Sequence, residues 1–264
     1  VTLSTSFLSM LAAAAPATTV QPVRVEQVNH RVSPEQAAMR RCAAYCRSLG
    51  EVELAVPAQE LGDHAVAKWV RDHGVSVDVR TGGDLTAAIA AGIHPIRMTV
   101  HADGLIANEL LFCTANLGVG RVVATETEHV ELLAAAAVPH RRQRVLVGFG
   151  FESYAADDAI AAVLAGPRLD LVGLHCEISS GENYFAGYPA AVGDMLIEMA
   201  QIHREHGIVL TRAAVGGGGL VFGHCPCDLS ELAEAIDETL DDACATLRFP
   251  RPVVMAMASP ARVA

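Results

Sequence analysis

Four side chains at the ends of apolar runs have the types needed for acid–base or metal chemistry. His101 and Asp103 follow the run Ile96–Val100, and His175 and Glu177 follow Leu169–Leu174. His175-Cys176-Glu177 alternates at strand spacing, so His175 and Glu177 face the same way. No ligand-spacing signature joins the four, so no metal is assigned to them, and hydrogen-bonded interior polar groups are the competing reading. A second feature points to anions. Gly216-Gly217-Gly218-Gly219 lets backbone N–H groups come close to a phosphate, with Ser180 and Arg262 able to complete the site. The plain alternative is a flexible turn. His224-Cys225-Pro226-Cys227 is a fragment of a soft-metal site, but no second pair stands at finger-like spacing, which favours a loop with inert thiols. Glu234, Asp237, Glu238 and Asp241 read as a solvated acidic helix face. Lysine chemistry has one candidate, because Lys68 is the sole lysine in the chain.

The elements that must position these groups follow a strict rhythm. Ser33-Pro34-Glu35-Gln36 caps a helix that runs to about Leu49 and stops at Gly50. Short β-rich runs then alternate with amphipathic segments. The runs are Val52–Val56, Val75–Val79, Ile96–Val100, Arg121–Ala124, Arg144–Gly148, Leu169–Leu174, Ile208–Arg212 and Val253–Ala256. Helical patterns fall near 62–73, 83–91, 105–117, 127–136, 155–165, 185–206 and 229–247. Most runs are apolar on both faces, as buried parallel strands are. Strands linked by helices in this way predict an α/β fold, a (β/α)8 barrel of the TIM type. A doubly wound sheet would want a glycine pair after the first strand, where Pro57-Ala58-Gln59-Glu60 stands instead. The last strand run ends close to Ala264, so the eighth helix is expected to be missing.

The 264 residues suit one such barrel, read as residues 23–264, behind a disordered or loosely helical leader over 1–22. The leader's apolar stretch Phe7–Ala15 lacks the preceding Lys or Arg of an export signal. A formal charge of −11 disfavours nucleic acid and anionic membrane surfaces as partners. No run of about twenty apolar residues predicts a membrane span. Seven scattered cysteines suggest no disulfide framework, and with it a cytoplasmic setting.

The strand ends also carry a family resemblance. Asp78-Val-Arg-Thr-Gly-Gly83-Asp84-Leu85, His101-Ala-Asp103 with Asn108-Glu109-Leu110, Gly173-Leu-His175-Cys-Glu177-Ile-Ser-Ser180, Gly216–Gly219 and Ser259-Pro-Ala-Arg262 occur in this order. Together they resemble diaminopimelate decarboxylase and its relatives. These are the pyridoxal-phosphate barrels that include ornithine and arginine decarboxylases and alanine racemase. The resemblance runs from about Glu51 to Ala264. It implies an alanine-racemase-like barrel, pyridoxal phosphate as cofactor, and amino-acid decarboxylation of the kind used in lysine biosynthesis. It also implies phosphate contacts from Gly216, Gly217, Gly218, Gly219, Ser180 and Arg262.

The departures matter as much. The position of the family's Schiff-base lysine, at the end of strand one, is Pro57. The imidazole stacked on the cofactor ring corresponds to Glu177, the carboxylate at the ring nitrogen to Ser259, and a strand-five arginine to Gly148. A segment between strands five and six and the C-terminal β-domain are expected to be missing. The resemblance with these departures implies a pseudoenzyme: a decarboxylase-like barrel with doubtful covalent cofactor binding. Two alternatives stay open. One is altered acid–base or metal chemistry through His101, Asp103, His175 and Glu177 on a small amino-acid-like or phosphorylated substrate. The other is a non-catalytic partner or regulator, as a homo-oligomer or beside an intact homologous decarboxylase.

Overall fold

The structure is a computed structural model that describes residues 33–150, 154–179, 183–223 and 226–261. The leader lies outside these residues. Helix α1, Pro34–Ser48, forms where the capping signal predicts it. Ser33 Oγ accepts the Gln36 N–H at 3.1 Å, and the Gln36 side chain accepts the Ser33 N–H. The chain leaves the helix through Gly50 at φ +56°, a conformation that costs a glycine little.

Eight strands follow: β1 Glu53–Pro57, β2 Ser76–Val79, β3 Met98–His101, β4 Arg121–Ala124, β5 Gln143–Phe149, β6 Leu169–Ile178, β7 Arg212–Val221 and β8 Val253–Ser259. Each pairs in parallel with the next, and β8 pairs with β1, so the barrel closes. Between them run α2 His64–His73, α3 Gly82–Ala90, α4 Ala107–Phe112, α5 Thr127–Ala136, α6 Tyr154–Ala165, α7 Tyr184–His206 and α8 Pro226–Leu247. A turn of π-helix, Cys113–Leu117, extends α4.

Strand alternation sorts the side chains. Leu54, Val56, Val77, Val79 and Val100 face outward into the core shared with the helices. The inward residues form layers along the axis. A lower layer holds Glu53, Ser76, Thr99, Arg121 and Arg212, linked by hydrogen bonds. Above it Ala55, Val123, Leu146, Ala214, Met255 and Met257 make an apolar plug. The next inward positions, two residues on, are Pro57, Asp78, His101, Gly148, Gly216 and Ser259. The plug therefore seals the axis below the mouth.

Two features go beyond the sequence reading. Helix α1, which precedes β1, packs between α8 and α2, where an eighth helix would lie in the outer ring. It buries Ala38, Cys42 and Tyr45, one face at helical spacing. The Tyr45 ring packs 5.3 Å from that of Phe222, and its hydroxyl donates to the Val221 carbonyl at 3.3 Å. Strand seven begins at Arg212 rather than ending there. It continues through the glycine run, which glycine's usual role as a strand stop had disguised.

Tyr45→Ala should therefore destabilise the protein by about 3–5 kcal/mol, as other buried aromatic truncations do. Urea unfolding of the variant checks this. A near-neutral result would mean that α1 does not close the ring.

Candidate ligand site at the barrel mouth

The mouth is organised by charge. Asp78, inward on β2, is buried, and Arg80 follows two residues later on the same face. Arg80 Nε donates to Asp78 Oδ2 at 2.7 Å. Its other two nitrogens make a bidentate pair with Glu177 on β6, Nη1 to Oε1 at 3.0 Å and Nη2 to Oε2 at 2.9 Å. Paired planar geometry of this kind makes a strong charge-assisted contact. His101 and His175 lie beneath, both buried, with ring centres 5.0 Å apart and nearly perpendicular planes. His101 Nε2 touches Asp78 Oδ1 at 2.8 Å, and His175 Nε2 lies 3.5 Å from Glu177 Oε2. Neither contact has the alignment of a hydrogen bond, so Asp78 Oδ1 and both Nε2 atoms are buried without one.

The ionisation of these groups follows from that packing. Burial alone would raise Asp78, but His101 and Arg80 outweigh it and hold the carboxyl at about 2. Burial acts likewise on Glu177, and His175 and Arg80 bring it to about 2. Burial opposes the charge on Arg80, yet Asp78 and Glu177 hold the guanidinium more firmly protonated than usual. Burial lowers His175, and the charges of His101 and Arg80 add to that against the pull of Glu177.

The glycine run borders this cluster. Gly216 stands opposite Glu177 in the β6–β7 ladder. A Cβ there would sit 2.6 Å from Glu177 Oε2 and 2.8 Å from Arg80 Nη2, so a side chain at this position would displace the ends of the paired side chains. Gly217, Gly218 and Gly219 all have positive φ, and the β7–β8 register shifts across them. Successive backbone N–H groups in such turns form anion-binding concavities. Buried Tyr188 fixes the turn from below, donating to the carbonyls of Gly217 and Met257, each at 3.4 Å.

Of the residues expected to act together, the structure assembles His101, His175 and Glu177. It does not bring in Asp103, which is exposed on the turn after β3. Asp78 takes that place because strand alternation points it inward. Arg80 and Asp78 were visible in the sequence as a charged i, i+2 pair at a strand end, and that signal identifies them. Among the described residues no group of three or more His, Cys, Asp or Glu could hold a metal ion. Ser180, Arg262, His224 and Cys225 lie outside the described residues. Cys227 is disulfide-bonded and so is not the inert thiol expected there. Among those residues, no helix is long and apolar enough to cross a membrane.

A model of the pyridoxal-dependent decarboxylase pyridoxal-binding domain matches residues 146–259. Diaminopimelate decarboxylase from Actinosynnema pretiosum subsp. auranticum is 30% identical over 247 residues, covering 84% of this chain and 55% of the relative. That from Corynebacterium efficiens is 30% identical over 217 residues, covering 72% and 47%. The chain belongs to the family of pyridoxal-dependent decarboxylases. It spans about half the length of the curated relatives it matches. The fold is that of solved members. Diaminopimelate decarboxylase from M. jannaschii, crystallised with L-lysine, superposes with a TM-score of 0.70 at 16% identity, covering 86% of this chain and 59% of that one.

The family's cofactor is pyridoxal phosphate, and the mouth fits it only in part. The glycine turn is a suitable cradle for an anion. The covalent end does not fit. Pro57 is buried at the inward end of β1 and has no amine. Lys68 stands on α2 in the outer ring, half-exposed and paired with Asp72. Ser259, at the upper end of β8, supplies a hydroxyl and no charge. No reaction step through the cofactor follows from these residues.

The sign of the pH dependence is set by the two mouth carboxylates. Both ionise more readily folded than unfolded. Their contribution is complete above the ordinary carboxylate range, near pH of about 4, and is lost as pH falls toward about 2. His175 adds an earlier loss, beginning as pH falls below about 6.5, where the unfolded imidazole takes up a proton that the folded one resists. Asp78→Asn should cost about 3 kcal/mol at neutral pH and flatten the acid limb of stability against pH. Denaturant titrations from pH 3 to 8 test this, and an unchanged acid limb would contradict it.

Proposed function

We propose that this chain is a decarboxylase-like barrel that does not decarboxylate amino acids. It binds a small phosphorylated or amino-acid-like anion at the barrel mouth. One observation carries this reading. The inward, buried end of β1, where the family's chemistry needs a lysine amine, is Pro57, and the chain's sole lysine is on the outer ring. An imine needs a free amine held beside the cofactor, and a proline ring nitrogen within the chain cannot supply one. Ser259 and Glu177 strengthen the case. A hydroxyl cannot stabilise a protonated ring nitrogen as a carboxylate does, and a carboxylate does not stack on a ring as imidazole does.

Anion binding is the function the remaining geometry supports. The turn Gly217–Gly219 is built for it, and Arg80 places a firmly protonated guanidinium against the neighbouring Gly216. The acid–base alternative would need a proton carrier open to substrate, whereas both imidazoles are buried beneath the ion pair.

Wild-type protein mixed with pyridoxal phosphate and borohydride should yield no reduced adduct, and it should release no carbon dioxide from diaminopimelate. Absorbance, mass spectrometry of the intact chain and a carbon dioxide assay check this. An adduct mapped to Lys68, or turnover, would overturn the reading.

A further inference from the structure

The Arg80–Glu177 pair joins β2 to β6. In a closed barrel of eight strands these two are four places apart, on opposite sides of the axis. A bidentate contact between them must therefore cross the mouth. Below the pair the axis is filled by His101 and His175, and beside it a Cβ on Gly216 would meet both partners. Grooves of about 790 and 590 Å³ lie elsewhere, one against α8 and the start of β8, the other against α1. Neither is lined by Arg80, Glu177, Asp78 or either histidine.

The family resemblance assigns the ring-stacking position to Glu177 and the phosphate end to Gly216–Gly219. The guanidinium of Arg80 is paired with Glu177, and a Cβ on Gly216 would come within 2.8 Å of it. We propose that the Arg80–Glu177 ion pair is a built-in occupant of the ring space, and that it bars the cofactor independently of Pro57. Asp78 holds this occupant in place. It is buried and anchors Arg80 through Nε, so the guanidinium cannot swing out without leaving a buried carboxylate uncompensated. Glu177 is more exposed and is the movable partner. The ring space is thus filled by the chain's own ion pair.

This inference rests on the reading of Pro57 as the lost lysine position, and the test separates the two. Three variants are compared: Pro57→Lys, Pro57→Lys with Arg80→Ala, and Pro57→Lys with Glu177→Ala. Each is titrated with pyridoxal phosphate, followed by the imine absorbance and by the mass of the borohydride-fixed chain, with circular dichroism as a check of folding. The single variant should bind weakly. Each double variant should bind at least about tenfold more tightly, as removal of a competing charged partner allows. Should Arg80→Ala prevent folding by uncovering Asp78, the Glu177→Ala pair decides alone, because it leaves the Asp78–Arg80 contact intact. Equal affinity in the single and double variants overturns the inference, and so does absence of an adduct from every folded variant. A wild-type adduct at Lys68 would instead defeat the reading of Pro57 and leave this comparison standing.

Discussion

A buried carboxylate is the constraint on which the mouth of this barrel depends. Asp78 points into the axis because β2 alternates and Ser76 and Asp78 share its inward face. A charge so placed must be met by an opposite one, since the cost of leaving it bare is several kcal/mol. Arg80, two residues on, meets it. Its guanidinium then has donors left over that reach the far side of the mouth and find Glu177. The pair in turn lies beside a strand position without a side chain, Gly216, where a Cβ would displace the paired ends. Each of these residues follows from the one before. The order runs from the interior outward, from a group that cannot move to one that can.

The same alternation explains why the barrel tolerates so polar an axis. The lower layer, with Glu53 against Arg121 and Arg212, is a closed set of opposite charges and hydroxyls. The upper layer sets Asp78 and Glu177 against Arg80, but it leaves Asp78 Oδ1 and the Nε2 atoms of His101 and His175 buried without a hydrogen bond. Between them Ala55, Val123, Leu146, Ala214, Met255 and Met257 separate the two sets with an apolar plug. The lower set is at the end of the barrel where polar residues usually serve stability, and the upper set at the end where loops and ligands meet. Similar chemistry therefore has different consequences at the two ends. Glu53 is held by two arginines and a serine, whereas Glu177 is exposed and held chiefly by one arginine.

Much of this was legible in the sequence. The rhythm of apolar runs and amphipathic segments fixed the strand and helix order, and strand alternation predicted that His175 and Glu177 would face together. Three things were not legible, each for a physical reason. The ring position of α1 was hidden because a helix preceding the first strand carries no local sign of which neighbour it will cover. The extent of β7 was hidden because glycine is a poor strand former by propensity, and ladders to Glu177, Ile178 and Met257 keep Gly216 and Gly217 in the sheet. The partnership of Arg80 with Glu177 was hidden because it spans 97 residues. It depends on barrel closure, a property of the whole chain rather than of either motif.

The departures from the family motifs gain sense when they are placed in space. Pro57, Gly148, Glu177 and Ser259 are scattered along the chain, yet strand alternation puts them all at the inward, upper ends of their strands. These positions share one surface, the wall of the mouth, whereas the strands' outward faces carry an apolar core. Losing a catalytic amine requires no new ion pair, but a carboxylate left at the Glu177 position beside a glycine turn and two imidazoles does require a counter-charge. The guanidinium that supplies it also fills the space. On the proposed reading, the proline at the end of β1 and the ion pair across the mouth are separate features of one site, and neither implies the other.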